Sequence, residues 1–328
     1  MAADCNATRV ACVVDTIRDA IREPEFRDGL RAGLVALAIA LVLGAVWKHV
    51  LRGRNPLPVA GLLTAAACTY ALREGVGVPD RVVVALVLLA VAGMLFDALH
   101  LPPAILLVTG IPGAVLLASQ SGPTHVRWVQ ILVGTTAVVG GAAAASLDRR
   151  WARHGLGPPL VALWALGAYV TLPDTEGALA ILGATMAVAL AAWPARVVAL
   201  GGAGALPLVG LIAWNAAYGG FGRPSSIVGA VACAGVLVVE PATRMLLRSG
   251  LGPIDAIAKP KRARWWTFPV VAPVQLGLVF VAGRVAGVGH SLDRAIVIVV
   301  AGGVVALAIA IVVTTWTTKR GTAQVVNR

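Results

Sequence analysis

Charge is scarce in this chain. Only 13% of its 328 residues are Asp, Glu, Lys or Arg, where a soluble domain carries roughly a quarter. Aromatics make up 5% and there are 4 cysteines, too few for a disulfide-stapled scaffold. Lysine is confined to Lys48, Lys259, Lys261 and Lys319, so arginine supplies nearly all the basic charge. With the alanine bias, this points to a bacterial source. No GxxxxGK[ST] and no HExxH occurs, which excludes P-loop and zincin chemistry; no cofactor and no metal site is expected. Polar stretches are short as well. The longest are the N-terminal tail and the loop ending at Trp266, so no soluble domain has room.

What is abundant is aliphatic. At 59% hydrophobic residues and a mean hydropathy of +0.86, the chain needs lipid as its solvent. Apolar runs of crossing length, roughly 16–22 residues, lie near 32–47, 57–72, 82–99, 101–119, 128–147, 158–172, 176–193, 197–217, 226–247, 267–288 and 295–316. Read as helices, they predict an all-α polytopic bundle of eleven spans, or nine if the pair around Pro102-Pro103 is re-entrant. The runs are mostly Ala, Val, Leu and Gly, so close approach of helices through small residues is the expected cohesion. The organisation is an extracytoplasmic tail over 1–30, a transmembrane domain over 31–317 and a cytoplasmic tail over 318–328.

The stretch from Glu240 to Trp266 sets the orientation. It carries Arg244, Arg248, Lys259, Lys261, Arg262 and Arg264 against Glu240 and Asp255. Short basic loops resist translocation, which makes this one cytoplasmic. Counting spans outward puts 48–56, 97–103, 148–157, 194–196 and the C-terminus on the same side, with the N-terminus outside. The whole net charge of +12 then falls on one face. A nucleic-acid surface would gather such charge on one soluble face, so no nucleic-acid partner is expected. Lys259, Lys261, Arg262 and Arg264, followed by Trp265 and Trp266, suit anionic headgroups on the cytoplasmic side. Membrane lipids are therefore the expected partners, and a protein partner in the membrane stays open.

Ahead of the first run, Val13, Val14, Ile17, Ala20 and Ile21 fall at helical spacing before Pro24 and predict a short amphipathic helix in the tail. A cleavable signal peptide is not expected, because no small-residue cleavage site follows the first run before Lys48. Cys5 and Cys12 would lie outside and either close a small disulfide loop or stay free. Cys68 and Cys233 fall within spans, as small packing residues.

Ionisable groups at membrane depth are costly, and that makes them functional candidates. Two acids qualify, Asp97 and Glu240. Asp97 and His100 are three apart, a spacing that shares a helix face. Two readings follow: a protonatable gate, or polar caps on a tight hairpin before Pro102-Pro103. The next run passes Thr109, Gly110, Ile111, Pro112 and Gly113. It is either an unwound helix lining a substrate path or a proline kink satisfied by its neighbours. Glu240 and Arg244 are four apart and suit an ion pair. Asn215 and Gln275 are candidates for polar contacts between helices.

Absent motifs narrow the chemistry further. The paired Asp-rich motifs of membrane prenyltransferases and the DGxxAR signature of CDP-alcohol phosphotransferases are missing. Phe96 and His100 match the FxxxH element of CAAX-type intramembrane proteases, but the EExxxR element is not there; Glu240 to Arg244 lacks the second glutamate and comes later. The balance leans away from an enzyme. The first reading is a permease or flippase-like carrier for a small or lipid-linked substrate, gated at Asp97 and His100. The second is a non-catalytic scaffold subunit of an envelope-assembly or secretion complex. The third is a lipid-phosphate enzyme using Asp97 and His100 with Arg149 and Arg150.

Overall fold

A computed structural model describes residues 18–19, 21–49, 59–121, 127–151, 157–171, 176–193, 198–219, 224–247, 269, 271–277, 281 and 292–326. Regular structure among them is helical throughout. Helix α1 runs Pro24–His49, α2 Val59–Gly75, α3 Asp80–Leu99, α4 Pro103–Thr109 and α5 Ile111–Ser119. Helix α6 (Arg127–Thr135) passes through a π-helical turn at Thr136–Gly140 into α7 (Gly141–Trp151). There follow α8 (Gly157–Thr171), α9 (Glu176–Ala192), α10 (Gly201–Gly219), α11 (Pro224–Ala232), α12 (Gly235–Leu247) and α13 (Leu292–Val326).

The fold is organised around α10. Every residue from Gly202 to Ala217 is buried, sheathed by α2, α3, α7, α11 and the π turn. In lipid the apolar surface of a separate helix is already solvated, so helices cohere through contact rather than through expulsion of water. The glycines show where that contact is closest. A Cβ on Gly33 would lie 2.6 Å from the carbonyl oxygen of Ala184, so α1 and α9 touch backbone to backbone. A Cβ on Gly204 would lie 2.5 Å from the carbonyl carbon of Gly61, which does the same for α10 and α2.

Pro24 opens a helix where the sequence pattern predicted a stop. Its fixed φ suits the first helical position, and Glu25 in the first turn complements the positive end of the helix. Helix α1 therefore takes in residues 24–30 of the segment assigned to the tail, and Phe26 is buried in the core. Residues 1–17, with Cys5 and Cys12, lie outside the described residues.

Eleven spans are not what the helices provide. Among the described residues, three are long and apolar enough to cross a membrane: Pro24–Val46, Asp80–Leu99 and Arg127–Asp148. Ala104–Ser119, Gly177–Ala192 and Val299–Thr315 are apolar but shorter. Among the described residues some of the counted runs are divided or fall short. The run at 226–247 breaks into α11 and α12 at Cys233 and Ala234. Helix α8 has 15 residues, about 22 Å at roughly 1.5 Å per residue, short of the ~30 Å hydrocarbon core. The flanks of the bundle expose Val42 on α1, Val87 and Val91 on α3, and Val297, Val304 and Ile309 on α13. Such faces are stable against lipid or another apolar partner.

Candidate functional site

The site forms where α3 and α7 end and α10 begins. Gly93 on α3 lets the two backbones meet, since a Cβ there would stand 2.5 Å from the amide nitrogen of Ala203. One turn later Asp97, half-buried, accepts a hydrogen bond at Oδ2 from the Ala203 amide at 3.1 Å. The helix then stops. His100 turns left-handed at φ 54, the Leu101 amide returns to the Phe96 carbonyl at 3.2 Å, and Pro103 starts α4. His100 is the exposed end of this stop, while Asp97 turns inward.

The second carboxylate comes from α7. Gly141, Ala145 and Asp148 follow one another at helical spacing on one face. Gly141 abuts Leu206 of α10, and Ala145 is fully buried. Asp148, 1% exposed, accepts the Gly201 amide at Oδ2 at 2.7 Å. Gly201 sits at φ 60, a left-handed conformation that glycine enters without steric cost. The other oxygen, Oδ1, is buried and has no hydrogen-bond partner among the described residues. It rests against Gly157, the first residue of α8.

Two carboxylates from separate helices thus share the first amides of a third. Those amides have no partner inside their own helix, and the helix dipole adds positive potential. Both features favour an anion here. A second anion at the same terminus is opposed by the first. The start of α10 is held from two directions by hydrogen bonds to carboxylate oxygens.

The other sequence candidates are placed as follows. At Thr109–Gly113 α4 passes into α5 without opening. Gly110 keeps helical angles (φ −78, ψ −17), its amide reaches the Leu106 carbonyl at 2.9 Å, and its carbonyl receives the Ala114 amide at 3.0 Å. The Thr109 hydroxyl donates to the Ile105 carbonyl at 3.0 Å. Pro112 falls in the first turn of α5, where a missing amide costs nothing, and Gly113 lies against Leu89 and Ala85 of α3. The segment is not unwound, and Gly113 serves the packing of α5 on α3.

Glu240, 1% exposed, accepts the Arg244 guanidinium at 2.8 Å and 3.2 Å. The Gln275 amide donates to the Cys233 carbonyl at the junction of α11 and α12. Asn215 is 2% exposed beside Gly177, with its Nδ2 unpartnered among the described residues. The neighbouring Trp214 donates to the Gln120 carbonyl at 3.0 Å. Arg149 and Arg150 continue α7, but their side chains lie outside the described set, as do Lys259, Lys261, Arg262, Arg264, Trp265 and Trp266. Among the described residues no three of His, Cys, Asp and Glu gather closely enough to hold a metal ion.

Asp148 is the residue that sequence reasoning missed, having been counted as part of an Asp-Arg-Arg loop. The signal was its spacing. Gly141 and Ala145 precede it on one helical face, and that face continues a buried stripe. Compared with protein-family models and with curated proteins, the sequence matches none.

Proposed function

We propose that this chain is a multi-pass carrier of the bacterial plasma membrane, a permease or flippase-like protein for a small or lipid-linked substrate. In it, proton exchange at Asp97 and Asp148 releases and re-seats the start of α10. The observation that carries this reading is Asp148, a buried carboxylate with one oxygen on the Gly201 amide and the other without a donor among the described residues. Capping alone is served by an uncharged Ser or Asn. Two acids at one helix terminus exceed that need, and ionisable groups at membrane depth are functional by default.

The chemistry follows from the charge state. With both carboxylates ionised, the Gly201 and Ala203 amides hold them by charge-assisted bonds while the two anions repel. Adding one proton removes the repulsion, gives the acid a hydroxyl to donate, and weakens one grip on α10 to a neutral hydrogen bond. Since α10 is sheathed along its length, a shift at its start is passed to α2, α3 and α7. The ends of α3 and α7 and the starts of α8 and α10 meet in one place. This fits the charge pattern in so far as it puts 97–103 and the start of 148–157 on one side.

Infrared difference spectroscopy of the protein in liposomes, stepped across pH, tests this reading. The carboxylic acid band of a buried aspartic acid should titrate in the wild type and vanish in Asp148→Asn, with helix content unchanged. A spectrum identical in wild type and variant would sink it. The scaffold reading draws on α13, which is exposed on most sides between Ile296 and Ile309. Copurification of a stoichiometric partner that survives Asp97→Asn and Asp148→Asn would favour that reading instead.

A further inference from the structure

Between α1 and α2 runs a groove of about 730 Å³, within the roughly 300–1,000 Å³ of ligand pockets. Its two ends differ in chemistry. At the mouth stand Glu25, Asp28 and Arg31 of α1 and Glu74 of α2. Arg31 reaches Asp28 at 3.2 Å, while Glu25 and Glu74 have no ion-pair partner among the described residues. Further along, the walls are apolar: Val35, Ala36 and Ile39 on one side, Leu63, Ala66 and Ala67 on the other. The alanines make the space, since longer side chains would fill the trough. From Arg31 to Ile39 the α1 wall extends about 12 Å at roughly 1.5 Å per residue. That is most of one leaflet, about half of the ~30 Å hydrocarbon core.

We propose that this groove seats an aminophospholipid of the surrounding bilayer, with one acyl chain in the alanine trough, the primary ammonium on Glu25 and Glu74, and the phosphate on Arg31. Charge complementarity selects this occupant. A mouth with three carboxylates and one guanidinium repels a purely anionic headgroup, whereas a headgroup carrying both an ammonium and a phosphate matches both signs. The assignment stands apart from the Asp97 and Asp148 reading and shares no residue with it.

Native mass spectrometry of the purified full chain tests it, with phosphatidylethanolamine and phosphatidylglycerol of identical acyl chains supplied in equal amounts. The ethanolamine lipid should be retained over the glycerol lipid by about fivefold or more, the factor expected of one matched surface charge. The double substitution Glu25→Gln, Glu74→Gln, nearly isosteric, should abolish the preference. Ala66→Phe, on an exposed wall position, should block both lipids. Equal or greater retention of phosphatidylglycerol by the wild type overturns the proposal, and so does unchanged binding in a folded Ala66→Phe protein. A rise in occupancy by both lipids when the tail arginines ahead of α1, Arg9, Arg18 and Arg22, are changed to Gln would show the chain's own tail to be the occupant, and would also overturn it.

Discussion

Asp148 and Gly157 face each other so closely that the carboxylate fills the space a side chain would need. A Cβ on Gly157 would stand 2.7 Å from the Asp148 Cγ and closer still to Oδ1. Glycine at the head of α8 is what allows the carboxylate to reach Gly201. In Gly157→Ala, the carboxylate must swing away or α8 must retreat. The expected loss of stability is about 1–3 kcal/mol, the usual cost of overpacking, read as a lower denaturation midpoint in mild detergent. A Gly157→Ala protein as stable as wild type would contradict this packing.

The glycines of α1 and α3 make a matched pair of tests. Gly93→Ala places a methyl group 2.5 Å from the Ala203 amide nitrogen, a backbone atom that cannot rotate aside. It should separate α3 from α10, cost about 1–3 kcal/mol and break the bond from Ala203 to Asp97. Gly44→Ala meets nothing within 4 Å. It should be neutral or raise stability by about 0.5–1 kcal/mol, through helix propensity alone. Thermal melts of the two variants side by side decide the matter, and equal effects would refute the contact map.

Trp164 offers a polar test inside an apolar core. Its side chain is fully buried and its indole donates to the Ala230 carbonyl at 2.9 Å, tying α8 to α11. Trp164→Phe keeps most of the ring and removes the donor, leaving a buried carbonyl short of a partner. A loss of about 1–3 kcal/mol is expected. Trp164→Leu should cost more, because volume is lost as well. Chemical denaturation of both variants measures the difference, and a Phe variant indistinguishable from wild type would mean the bond contributes nothing.

The helical class was legible because long apolar runs without strand alternation leave little else. The close packing was legible in the Gly and Ala content, and Gly29, Gly33, Ala180 and Ala184 are its clearest instance. The number of crossings was not. Hydropathy sums over Cys233 and Ala234 without registering that the helix breaks there, and Pro24 reads equally as an end or a beginning. Asp97 could be picked out as an acid among apolar residues, but its partner could not. Ala203 lies 106 positions away, and nothing local to either residue announces the other. Asp148 was hidden by its neighbours Arg149 and Arg150, whose charges read as a loop.

The wide turn at Thr136–Gly140 has a metrical consequence for this end of the molecule. A π turn accommodates one residue more than the α-helix around it, and each residue of an α-helix advances the chain by about 100° at roughly 3.6 per turn. Were one position excised there and the helix rewound in the ordinary way, the acid eight places beyond Gly140 would swing about that far off its amide. Exchanges of one side chain for another within the turn leave that bearing intact; a change in the count of residues does not.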